Sequence, residues 1–294
     1  MVTQTNKALS CIYKEHFGLD YGSGILPLGD KTHIMGILNV TPDSFSDGGT
    51  YLDPYKAVDK VAEMVQEGVH LIDIGGESTR PGASHVPAEE ELRRIIPVID
   101  RISKNINIPI SVDTYKAEVA RSAIDAGAHI INDISGLRFD PKMAEIAAKV
   151  ACPVILMHIK GRPGNMQIKP HYDSLIDEVR AYLEESINMA EQAGVAPEKI
   201  IIDPGIGFGK SFDHNLQLIN RLDEFRILGK PILIGPSRKS FIGQILDASP
   251  EERIEGTIAA AIVALQKGAH IIRVHDVKEA SKAVKVADAI LRSN

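Results

Sequence analysis

Ile200-Ile-Ile202 runs straight into Asp203-Pro-Gly-Ile-Gly-Phe-Gly209. The β-branched run reads as a short buried strand, the glycines end it, and an acid stands where it stops. The same arrangement recurs in both directions along the chain. Towards the N-terminus, Val154-Ile-Leu-Met157 ends on His158, His129-Ile-Ile131 on Asn132, and Ile108-Pro-Ile-Ser-Val112 on Asp113. Leu71-Ile-Asp-Ile74 opens onto Gly75-Gly-Glu-Ser-Thr-Arg80, and His33-Ile-Met-Gly-Ile-Leu38 onto Asn39. Towards the C-terminus, Pro231-Ile-Leu-Ile234 precedes Ser237-Arg-Lys239, and Ile271-Ile272 precedes Arg273-Val-His275.

Segments with helical spacing separate these runs. Ala57, Val58, Val61, Ala62 and Val65 share one face of 54–67, with Gly68 as the stop. Pro87-Ala-Glu-Glu-Glu91 starts the next helix with acids in its first turn, which the helix dipole favours. Further helices are expected at 115–126, 140–149, 172–193, 213–224, 251–267 and 276–292. Eight strand-then-helix units with no dividing linker predict an α/β fold, a (β/α)8 TIM barrel in one domain. An open doubly wound sheet fits less well, because it would leave two unprotected edges. In a barrel all strand C-termini open on one face, so residues roughly 240 positions apart can share a pocket. Residues 1–30 read as a lead-in, a hairpin around Gly22-Ser-Gly24 that closes the barrel bottom, and 31–294 as the barrel.

Of 294 residues, 44% are hydrophobic and 24% charged, the balance of a globular chain. A net charge of −6 gives no basic patch for nucleic acid. Cys11 and Cys152 lie far apart without CxxC spacing, which argues against a disulfide framework or zinc site and for a cytoplasmic location. No run reaches the ~18 apolar residues of a membrane span.

The loops carry chemistry of several kinds. Asn39-Val-Thr-Pro-Asp-Ser-Phe-Ser-Asp-Gly-Gly49 is long and polar, and exposes an apolar Phe45; a plain Asx- and Pro-rich turn is the bland alternative. Gly75 to Gly82 suits an anion or a lid, and equally a structural turn. Asp113 can accept two parallel N–H bonds and Asn132 can read an N–H/C=O pair. Either could instead cap the helix that follows, Asp113 above all, since Thr114-Tyr-Lys starts one directly. Gly205, Gly207 and Gly209 permit close backbone approach to a ligand, without P-loop or GxGxxG spacing. Arg238, Lys239, Arg273 and His275 cluster cationic groups after the last two strands, where barrels often bind phosphate. His158 is either a site residue or the start of the 158–170 loop.

Taken together, Ile37 to Gly49, Asp73 to Gly82, Ser111 to Tyr115, Ile131-Asn-Asp133, Asp203 to Phe208, Ser237 to Phe241 and Arg273 to Asp276 resemble the dihydropteroate synthase family, in register over 33–280. The resemblance implies a (β/α)8 barrel, commonly dimeric, that joins 6-hydroxymethyl-7,8-dihydropterin diphosphate to p-aminobenzoate and releases pyrophosphate. It implies a pterin pocket of Asp113, Asn132, Asp203, Lys239 and Arg273. Asp203 would accept from the 2-amino/N3 edge, Lys239 would reach the ring carbonyl, and Arg273 would stack on the ring. Asn39 would help hold Mg2+ on the diphosphate, with Thr79, Arg273 and His275 on its oxygens. Phe45, Thr79, Arg80, Pro81, Phe208, Lys239 and Ser240 would surround p-aminobenzoate, and sulfonamides would compete there. The catalytic group would comprise Asn39, Arg80, Lys239, Arg273 and His275. The expected partners are small-molecule substrates and a second copy of the chain, with neither nucleic acid nor membrane.

An electron-rich dihydropterin can stabilise a methylene cation, so the expected chemistry is a dissociative, SN1-like displacement. Mg2+, Arg273 and His275 would supply positive charge to the leaving group, and the first two loops would act as a lid. A neutral arylamine needs no strong base, consistent with no evident Ser-His-Asp or Cys-His set. Three alternatives remain at this level. A methyltetrahydrofolate methyltransferase could share Asp113, Asn132 and Asp203 but has no evident use for Asn39 and Arg273-Val-His275. A Schiff-base aldolase could use Lys239, activated by neighbouring Arg238. A silent pterin-binding paralogue would be expected to lack Asn39, Phe45 or Arg80, and all are present.

Overall fold

The computed structural model describes residues 15–41 and 54–293. Eight parallel strands carry the fold: β3 (His33–Asn39), β4 (Leu71–Gly75), β5 (Ile110–Asp113), β6 (Ile130–Asp133), β7 (Val154–Met157), β8 (Ile200–Asp203), β9 (Leu233–Ile234) and β10 (Ile271–Val274). They follow the order β8-β7-β6-β5-β4-β3-β10-β9. A parallel bridge between Ile202 and Ile232, with Ile202 N–H donating to Pro231 O at 3.0 Å, joins β8 to β9. The sheet therefore closes on itself, and the chain is the (β/α)8 barrel its sequence predicts.

Helices α1 (Pro54–Gln66), α2 (Ala88–Asn105), α3 (Ala117–Asp125), α4 (Met143–Val150), α5 (Leu175–Ala193), α6 (Phe212–Asn220), α8 (Ile254–Gln266) and α9 (Val277–Arg292) surround it. A short α7 (Ser240–Leu246) is inserted after β9. Strand side chains alternate between faces. Outward residues such as Ile34, Ile72, Val112, Ile131 and Ile202 join the helices in the main core.

The inward residues form two unlike layers. Met35, Leu71, Ile130, Ile155, Ile201, Leu233 and Ile271 fill the lower layer with fully buried apolar side chains. A hairpin of β1 (Phe17–Asp20) and β2 (Ile25–Leu28) lies against them through Leu19, Leu26 and Leu28. Residues 1–14 of the lead-in lie outside the described residues. Two residues further along the same strands, Asp73, Asn132, Asp203 and Arg273 point into the upper layer. Among the described residues no helix is long and apolar enough to cross a membrane.

Candidate active site

The strand register sets the site. Asn39 pairs with Gly75, Gly75 with Asp113, and Asp113 with Asn132, so four successive strands end level with one another. Arg273 reaches across this rim from β10. Its Nε donates to Asp73 Oδ2 at 2.6 Å and its Nη2 to Asp113 Oδ2 at 2.8 Å. Asn132 Nδ2 donates to the same Asp73 oxygen at 3.0 Å. Asp73 Oδ1 and Asp113 Oδ1 are buried with no protein hydrogen-bond partner. Burial raises the Asp113 carboxyl to about 7, against the pull of Arg273. Asp113 does not cap α3, whose N-cap is Lys116, so its side chain belongs to the mouth.

Asp203 sits on the opposite wall. Its Oδ1 accepts the Gly205 N–H at 2.7 Å, which leaves Oδ2 and a second lone pair on Oδ1 for a ligand. That turn requires glycine. Gly205 has φ +73° and a Cβ there would lie 1.9 Å from the His158 carbonyl oxygen; Gly207, at φ +85°, leaves room for Lys239 Cδ. Burial lifts the Asp203 carboxyl to about 6, opposed by the Gly205 N–H, Lys210, Lys239 and Arg273. Lys239 lies 4.4 Å from the Phe208 ring centroid, in cation–π contact. Burial and Arg273 pull its ammonium down to about 8, while Asp203 and Asp113 hold it up.

Not every cationic residue of the sequence pattern serves the mouth as expected. Arg238 turns away and forms a bidentate pair with Asp276, at 2.9 and 2.5 Å. The lowering of the Lys239 ammonium expected of Arg238 for an aldolase comes chiefly from burial and then from Arg273. His275 also departs from expectation. Burial and the adjacent Arg273 push it down to about 3, so at neutral pH it is an uncharged imidazole. Ser237 Oγ accepts the His275 backbone N–H at 3.2 Å and lies 2.9 Å from Nδ1. With the hydroxyl proton on the Nδ1 side, Nε2 carries the ring proton and is a neutral donor.

His158 lies outside the pocket. Inward residues on β7 are Ile155 and Met157, so the next residue faces the helices. It is 3% exposed, with Nδ1 2.6 Å from Lys210 Nζ and its ring against Tyr182 at 4.6 Å. Burial and Lys210 hold it well below the usual histidine range. This pair braces the loops after β7 and β8.

In the second loop, the Ala83 N–H donates to Arg80 O at 3.1 Å and Gly82 has φ +78°, a turn with proline at its second and glycine at its third position. Thr79 is half-buried, whereas Arg80 and Pro81 are exposed, as is Ser240 at the start of α7. Phe45 lies outside the described residues. Asn39 is half-buried at the rim.

Asp73 is the functional-site residue that a reading of strand ends passes over. It stands inside an apolar run, yet shares the inward face with Leu71 and Gly75. Asp133, beside Asn132, does the reverse: it points outward and accepts from Ser135 N, Ser135 Oγ and Leu137 N at 2.7, 2.7 and 2.9 Å.

The mouth thus sets three carboxylates and an amide against two half-buried cations, and the chain that builds it has close relatives. Residues 35–275 match the family model described as pterin binding enzyme. The Bacillus subtilis dihydropteroate synthase is 53% identical over 262 residues, covering 89% of this chain and 90% of that protein. The chain belongs to the dihydropteroate synthase family. It is thus an enzyme, a transferase. Among solved structures, the Xanthomonas albilineans dihydropteroate synthase with 4-aminobenzoic acid superposes with a TM-score of 0.89 at 47% identity, covering 95% of this chain and all of that one. The same enzyme in complex with 7,8-dihydropteroate gives 0.86 at 44% identity, covering 94% and 100%.

Proposed function

We propose that the chain condenses 6-hydroxymethyl-7,8-dihydropterin diphosphate with p-aminobenzoate to give 7,8-dihydropteroate and pyrophosphate. The observation that carries this is the polarity of the upper barrel layer. Asp113, Asn132 and Asp203 offer acceptors to a ring edge bearing an amino group and N–H, while Lys239 offers a donor to a ring carbonyl. Membership of the family supplies the substrate pair.

In this reading Asp203 accepts from the 2-amino/N3 edge and Asn132 and Asp113 complete pterin recognition. Arg273, held by Asp73 and Asp113, lies along the ring plane. The methylene C–O bond breaks first, its electron pair leaving with the diphosphate. The arylamine nitrogen then forms the new C–N bond and gives up a proton to solvent. Arg273 and the neutral His275 Nε2–H bind diphosphate oxygens, together with Thr79. Phe208, Lys239 and Ser240 border the arylamine, with Phe45, Arg80 and Pro81 from the first two loops.

Among the described residues no group of three or more His, Cys, Asp or Glu could hold a metal. A single oxygen donor, Asn39, fits Mg2+ that enters on the diphosphate, because this ion keeps waters and binds through few protein ligands. When bound, it would neutralise charge on the leaving group.

Pyrophosphate release should require the enzyme, the pterin diphosphate and Mg2+ and become fast only when p-aminobenzoate is added, and sulfonamides should compete with p-aminobenzoate. Slow release from the pterin diphosphate alone is expected for a dissociative path; strict dependence on the amine would refute that path. A homodimer belongs to the same proposal. Exposed Leu216, Ile245, Leu246 and Val263 around a groove of about 340 Å3 between α6, α7 and α8 give it an apolar surface to cover. Sedimentation of Ile245→Asp against the unmodified chain tests it. A cytoplasmic location is proposed as well, consistent with the free, buried Cys152.

A further inference from the structure

Beneath the second loop lies a buried polar cluster that none of the proposed substrate contacts uses. Glu77, just after β4, and Lys116, just before α3, form an ion pair at 2.5 Å with side chains only 9% and 11% exposed. Lys116 also pairs with Glu91, 1% exposed, in the first turn of α2. The Tyr115 hydroxyl donates to Glu77 Oε1 at 2.9 Å and lies 3.0 Å from His85 Nδ1. The Val86 N–H donates to the same Glu77 oxygen at 3.2 Å.

These contacts join both feet of one loop. Glu77 stands at the entry, Val86 at the exit, and Glu91 on the helix the exit leads into. Arg94 adds a bond from Nη1 to Gly76 O at 2.8 Å. The tip is held separately, by the Gly82 N–H donating to Pro163 O at 3.2 Å. Thr79, Arg80 and Pro81 lie between these fixed points. Arg80 is near enough to the mouth for its charge to help lower the Lys239 ammonium. A buried carboxylate without a cation is costly, so the cluster has one stable arrangement and transmits it to the loop.

We propose that Glu77 and Lys116 are positioning residues for the arylamine half of the reaction: their ion pair locks the feet of the second loop, so Thr79 and Arg80 stand ready before the amine arrives. This rests on the function proposed above. The device explains how an exposed loop can orient a substrate, since ordering it during turnover would spend binding free energy.

The test uses the full chain carrying Lys116→Met, the milder Glu77→Gln, and Lys116→Arg. In the first two, amide exchange over residues 76–87 should accelerate, and KM for p-aminobenzoate should rise about ten- to a hundredfold, the scale set by misplacing a catalytic group. The Kd for the pterin should stay within about twofold, and Lys116→Arg should restore KM, because a guanidinium can keep both carboxylates paired. Unchanged exchange or unchanged KM in both variants overturns the proposal, as does equal loss of pterin and arylamine binding. If the unmodified chain released no pyrophosphate with both substrates, the functional assignment would fail, while the exchange data would still report whether the clamp holds the loop.

Discussion

Leu71 and Asp73 are neighbours on one face of one strand, as are Ile130 and Asn132, Ile201 and Asp203, Ile271 and Arg273. Each pair spans one pleat repeat, roughly 6.6 Å. The first member of each pair belongs to a dry floor on which the β1–β2 hairpin packs; the second belongs to a mouth of charge. The floor gains stability from burial. The mouth costs stability, because burial raises the Asp113 and Asp203 carboxyls above their usual range, so keeping them ionised at neutral pH works against folding. The barrel thus separates the work of folding from the work of binding by two residues of sequence. Arg273 is the point at which the two meet, since it rises from the floor strand to neutralise Asp73 and Asp113.

Removing that cation should break the mouth most severely. Arg273→Met leaves two buried carboxylates unpaired, with an expected loss of about 3–5 kcal/mol in urea unfolding. Pyrophosphate release should fall by roughly a thousandfold. A stable but inactive variant would mean that Asp73 and Asp113 protonate without cost. Next comes the floor: Ile201→Ala should lose about 2–5 kcal/mol through the cavity it leaves. Its turnover at saturating substrate should stay nearly unchanged, and a large fall in kcat would deny the separation of floor from mouth. The smallest effect is one of pH. Asp203 must be ionised to accept from the pterin and is raised to about 6, so kcat/KM should drop as pH falls through 6. Lys239, pulled down to about 8, should cost activity as pH rises through 8. Asp113, near 7, should steepen the acid limb. Asp203→Asn should lower pterin affinity about ten- to a hundredfold and remove its share of that limb.

The barrel was legible because short β-branched runs and their polar ends repeat eight times, a local signal. Parity along the strands refines it. His158 occupies a strand end but the wrong face, and Asp73 the right face but not the end. Charge was less legible than position: the spacing of Arg273 and His275 is visible in the sequence, whereas the loss of charge on His275 depends on burial beside Arg273. Least legible was the second loop. Its sequence suggests a lid, but the restraint on it comes from Lys116, brought in by a different strand–helix unit. A pairing across 39 positions leaves no local mark.

The hairpin at the floor has one more consequence. Among the described residues, Leu19, Leu26 and Leu28 cover the lower end of the barrel, so the polar mouth is its open side. On the proposed assignment the pterin sits at the bottom and the arylamine at the threshold, so the two must enter in that sequence and the product must back out the way they came. An arylamine mimic at the threshold would therefore bar the exit as well as the entrance, and should lengthen the residence of pterin behind it.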